Sequence, residues 1–128
     1  MPSLKTTHDT GGTKEGTDAC FVAIRKIIAA NGRCTEAEAR GIALSMYPAA
    51  VLVRVGAQKL KNRKRGASCR FAEEIDAFMG GRAVSQEAVE WFRHVGGNRQ
   101  LTRLKQNAKA GVVDGVKYDQ DKKEFVQV

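Results

Sequence analysis

A chain of 128 residues with a net charge of +8 and a pI near 9.7 has room for one ordinary domain or two very small ones. Its 42% hydrophobic and 28% charged content is that of a soluble globular protein and excludes wholesale disorder. No apolar run approaches the roughly 20 residues of a membrane-spanning helix, and the opening MPSLKTTHDTGGTKEGTD lacks the apolar core of a signal peptide.

Residues 1–17 are rich in Gly and Thr and read as a flexible arm. Asp18 is placed to cap a helix to about Ala30, with Phe21, Ile24, Ile27 and Ile28 at the spacing of a buried stripe and Asn31-Gly32 as its stop. Thr35-Glu36-Ala37-Glu38 matches a capping box and starts a second helix, with Ala39, Ile42, Ala43 and Met46 inward. Pro48 suits the first turn of a third helix, about 48–62. Phe71, Ile75, Phe78 and Met79 predict a fourth helix ended by Gly80-Gly81. Ser85 caps a fifth to about Val95, ended by Gly96-Gly97, and Asn98 caps a sixth to about Ala110, with Gly111 as its stop. The period then changes to alternation. Residues 112–118 and 124–128 predict two strands around a polar turn at 119–123. The expected fold is therefore mainly α, about six short helices with a C-terminal hairpin, divided as an arm (1–17), a three-helix helix-turn-helix-like unit (18–66) and a second unit (67–128).

Two basic surfaces stand out. Between Glu38 and Glu73 there is no acid, while Val53–Arg70 holds Arg54, Lys59, Lys61, Arg63, Lys64, Arg65 and Arg70. On the third helix Arg54, Gln58, Lys61 and Arg65 recur at i, i+4, i+7 and i+11 and share one side. Arg and Lys reach phosphates or guanine edges, and Gln can pair with adenine. From Arg93 to Lys109 the chain is again acid-free, and Arg99, Arg103, Gln106 and Lys109 spread over the outside of the predicted sixth helix. The amides at Gly97-Asn98 are expected to be free to hold a phosphate.

The run LTRLKQNAKAGVVDGVKYDQDKKEFVQV, a basic helix leading into a hairpin, resembles the recognition-helix-to-wing junction of the broad winged-helix superfamily, over about residues 71–128. The resemblance implies DNA binding in many members and protein–protein contacts in others.

Catalytic chemistry has little to stand on. His8 lies in the arm and His94 beside Trp91; Cys20, Cys34 and Cys69 are odd in number and widely spaced, indicating neither a disulfide framework nor a zinc site and pointing to a reducing, intracellular compartment. Cys34 precedes a helix start, where a thiol pKa can fall, but a small buried side chain is the better reading. Asp114, Asp121 and Lys123 only superficially resemble a metal-nuclease set. Few aromatics argue against stacking of single strands. The expectation is a non-enzymatic DNA-binding protein with a regulatory or architectural role, needing no cofactor or metal. Double-stranded DNA is the expected partner, with a homodimer compatible and no membrane contact. The contacts would come from Arg54, Gln58, Lys61, Arg63, Lys64, Arg65, Arg99, Arg103, Gln106 and Lys109. An adaptor or inhibitor docking on an acidic protein, and a binder of structured RNA, are the alternatives.

Overall fold

The computed structural model describes residues 14–63 and 72–128. Among these, five helices and three short strands follow in the order α1 (Lys14–Asn31), β1 (Cys34–Thr35), α2 (Glu36–Met46), α3 (Ala49–Arg63), α4 (Ala72–Met79), α5 (Gln86–Lys109), β2 (Val116–Asp119) and β3 (Glu124–Gln127). The mainly helical expectation holds. The expected cap Asp18 instead lies one turn inside α1, and the Thr17 hydroxyl near its start is 3.1 Å from the Tyr47 hydroxyl. The last residues of the expected arm, 14–17, are thus helical, and the rest of it lies outside the described residues. Thr35 closes the predicted capping box, its Oγ1 accepting from the Glu38 amide at 3.1 Å while Glu38 Oε1 accepts from the Thr35 amide at 2.9 Å. Ser85 caps α5 likewise, its Oγ accepting from the Ala88 amide at 3.1 Å.

The predicted fifth and sixth helices are one. The 24-residue α5 runs straight through Gly96-Gly97, and Asn98, expected as a cap, sits inside it and accepts the Thr102 hydroxyl on its carbonyl at 3.1 Å. These glycines fill a crossing instead of ending a helix. A Cβ on Gly96 would fall 1.9 Å from the Leu52 carbonyl oxygen of α3, and one on Gly56 of α3 would fall 1.8 Å from the Phe92 carbonyl oxygen of α5. The two backbones touch where side chains would hold them apart, so glycine is required by contact rather than by conformation. Gly111, at φ 75°, does end α5 as expected: the amide after it reaches back to the Asn107 carbonyl.

β1 adds to the hairpin, giving an antiparallel sheet of order β1-β3-β2 with Cys34 opposite Phe125 and Tyr118 opposite Phe125. Two clusters of buried side chains flank α5. The first joins Phe21, Ile24 and Ile28 of α1, Ala39 and Ala43 of α2, Leu101, Leu104 and Ala108 of α5, and Val116 and Phe125 of the hairpin. The second joins Val53, Ala57 and Leu60 of α3, Ile75 of α4, and Ala88 and Phe92 of α5. Each draws on residues from before and after the 64–71 segment. At about 100° per residue, Ala88 and Phe92 lie on roughly the opposite side of α5 from Leu101, Leu104 and Ala108, so the buried face of the helix changes sides near the glycines. Among the described residues, no helix is long and apolar enough to cross a membrane.

Candidate nucleic-acid interface

The exposed side of α3 follows from its packing. Leu52 and Gly56 turn to α5 and Val53, Ala57 and Leu60 to the second core, leaving Arg54, Gln58 and Lys61 outward and exposed. Lys61 is not wholly available, because its Nζ stands 3.8 Å from Asp76 Oδ1 on α4. Gln58 donates to Asn62 at 3.0 Å, a surface bond that a ligand can exchange. Arg63 closes the helix; Lys64 and Arg65 lie outside the described residues.

On α5 the geometry is set by the change of buried face. Beyond Gly96, Leu101, Leu104 and Ala108 turn into the first core, so Arg99, Arg103, Gln106 and Lys109 come together on the open side. Arg103 is half-buried beside Tyr47, and its pKa is lowered first by that burial and then by the neighbouring charge of Arg99 one turn away. Like charges at this spacing repel. Among the described residues no carboxylate pairs with either arginine, the ion pairs being Arg33–Glu124, Lys61–Asp76 and Lys105–Glu36. The expected phosphate site at Gly97-Asn98 does not exist, because those amides lie within a continuous helix rather than at its start.

The remaining basic groups of this region are tied into the fold. Lys105 Nζ lies 3.3 Å from Glu36 Oε1, and the Tyr118 hydroxyl donates to the same oxygen at 2.6 Å. Lys105 and the more exposed Lys109 both stand 5.5 Å from the centre of the Tyr118 ring. The Tyr118 bond is the main cause holding the Glu36 carboxyl below its ordinary pKa; Tyr118 is pushed up to about 12, by burial first and then by that bond. This junction of α2, α5 and β2 was not legible in the sequence, where Glu36 counted only as a capping-box residue. Arg25 donates to the Asp114 carbonyl at 3.1 Å and Arg33 pairs with Glu124 at 3.5 Å, so two cations of the N-terminal half also serve the hairpin.

Cys20 and Cys34 are fully buried and pushed up to about 11 by burial, which makes their thiols poor nucleophiles. His94 is exposed in mid-helix rather than near a helix end. In the hairpin turn Asp119, not Asp121, organises the backbone, its Oδ1 accepting from the amides of Asp121 and Lys122 at 3.1 and 3.2 Å. Among the described residues no group of three or more His, Cys, Asp or Glu is placed to hold a metal ion. No protein family, no curated protein and no solved structure matches the chain.

Proposed function

We propose that this protein binds double-stranded DNA through the open side of α5, in a regulatory or architectural role. One observation carries the reading: Arg99, Arg103, Gln106 and Lys109 share an open helix face in a stretch without a single acid from Arg93 to Lys109. Positive charge gathered without internal counter-charge is relieved by an external polyanion, and a duplex supplies one as a regular array. The hairpin supports a winged-helix-like arrangement of this surface. Lys109 leads from α5 onto the Tyr118 ring of β2, and β1 extends the hairpin by pairing along the outer edge of β3. Arg99, Arg103 and Lys109 suit phosphate contacts, and Gln106 is the side chain of this face that can pair with adenine.

The test is titration of a labelled 20-base-pair duplex by fluorescence anisotropy with wild type and Arg99→Ala/Arg103→Ala/Lys109→Ala. Three lost phosphate contacts weaken binding by tenfold or more at low salt and flatten the log–log salt dependence by about 3. A triple variant that binds as tightly as wild type sinks the proposal. Stronger binding to a structured RNA than to the duplex redirects it to RNA.

A further inference from the structure

We propose that the outer side of α3 and the open side of α5 form one stepped footprint for a single DNA duplex, not two independent binding surfaces. This rests on the reading of α5 as a DNA-binding helix and extends it to a second element. The close crossing supplies the geometry. Gly56 meets Phe92 and Leu52 meets Gly96, so α3 runs antiparallel to α5 and lies along its N-terminal half. The side it covers is the one bearing Ala88, Phe92 and Gly96, and at helical spacing that side continues into Arg99 and Arg103. Where α3 begins, at Ala49, its own cover of α5 stops, and beyond it Arg99 and Arg103 are partly exposed, Arg103 beside Tyr47. The side of α3 turned away from α5 carries Arg54 and Gln58 and therefore looks the same way as Arg99, Arg103 and Gln106.

Within the two helices themselves no acid opposes an anion: neither Ala49–Arg63 nor Arg93–Lys109 contains Asp or Glu, and Pro48, Ala49 and Ala50 at the head of α3 are small and exposed. Asp76 on α4, paired with Lys61, marks where the acid-free surface ends. The dimensions also fit. Gln58 lies beside the turn before Phe92, and from there to Lys109 is roughly 28 Å at about 1.5 Å per residue, close to the 34–36 Å of one duplex turn. The step between the stripes is one helix–helix spacing, about 8 Å at a close crossing, comparable with the roughly 8.5 Å depth of the major groove. A projecting α3 can thus enter a groove while the arginines behind it meet the adjoining phosphates.

The experiment compares Arg54→Ala/Gln58→Ala, Arg99→Ala/Arg103→Ala and their combination on one 14-base-pair duplex, measuring the salt slope and the number of duplexes bound per chain. Arg99→Lys/Arg103→Lys serves as a charge-keeping control, and circular dichroism checks each fold. One footprint gives at most one duplex per chain. It also gives a slope lowered by about 1 in the first variant and about 2 in the second, and the lysine control keeps the wild-type slope. Two duplexes per chain, or an Arg54→Ala/Gln58→Ala protein with an unchanged slope and affinity, overturns the single footprint while leaving DNA binding by α5 intact. If the wild type binds no duplex at all, the functional reading fails, and the footprint with it.

Discussion

Two glycines in helices give opposite expectations for one substitution. Gly41 of α2 has nothing within 4 Å of the place a Cβ would occupy and no unusual φ, so alanine there gains helix propensity and removes unfolded-state freedom. Gly41→Ala should raise stability by about 0.5–1 kcal/mol. Gly96→Ala brings the same propensity gain, but its Cβ would fall 1.9 Å from the Leu52 carbonyl, which is backbone and cannot rotate away. The helices must separate, so we expect a net loss of about 2 kcal/mol or more. Gly97 is intermediate, since its Cβ would meet only the Leu44 side chain, 2.5 Å from Cδ2. Urea denaturation of the three alanine variants checks the order; a Gly96→Ala protein as stable as Gly41→Ala would remove the crossing as the reason for glycine.

At the scale of elements, the junction of α2, α5 and β2 rests on Glu36. Its carboxyl is held below the ordinary 4.5, chiefly by the Tyr118 hydroxyl, so its contribution to stability is present above 4.5 and is lost as pH falls through the lower folded value. Tyr118 has the opposite sign. Its folded pKa of about 12 lies above the ordinary 10, so the stability it adds is complete below 10 and disappears between 10 and 12. The chain has two tyrosines, so in Tyr47→Phe the alkaline rise in phenolate absorbance belongs to Tyr118 alone. We expect its midpoint near 12 in that protein and shifted toward 10 when Glu36→Gln is added. A midpoint unmoved by Glu36→Gln would mean that burial, with the nearby Asp119 charge, sets it without Glu36. The hairpin turn has its own local signature: Lys123 adopts φ 56°, and its carbonyl accepts from the Glu36 amide at 3.0 Å, so the turn and the junction share a backbone bond.

Over the whole molecule, α5 contributes to both cores, on opposite sides of its two halves. A helix bent or broken at Gly96 would lose the crossing with α3, so neither core can release α5 without disturbing the other. Leu104→Ala empties part of the first core and should cost about 2–5 kcal/mol. Trp91 packs against the second core and is the chain's one tryptophan, so its fluorescence reports that core alone. We expect the urea midpoint read from Trp91 to fall in Leu104→Ala as far as the midpoint read from far-ultraviolet circular dichroism. A Trp91 transition indifferent to Leu104→Ala would show two units unfolding separately.

By itself the sequence determined what depends on neighbours a few residues away. The capping box at Thr35, the Ser85 cap, the Gly111 stop, the apolar stripe of α1, the outward stripe Arg54-Gln58-Lys61 and the terminal hairpin follow from helical or alternating spacing and from local hydrogen bonds. Tertiary structure decided what depends on contacts far along the chain. Gly96-Gly97 has the local signature of a helix stop, and only the approach of Leu52 and Phe92 backbone across the crossing makes it the middle of a helix. The same contact fixes which side of α5 is covered, and so which arginines are open. The pairing of β1 with β3, the commitment of Lys105 to Glu36 and the diversion of Lys61 to Asp76 likewise join residues 15 to 91 positions apart, where no local pattern reaches.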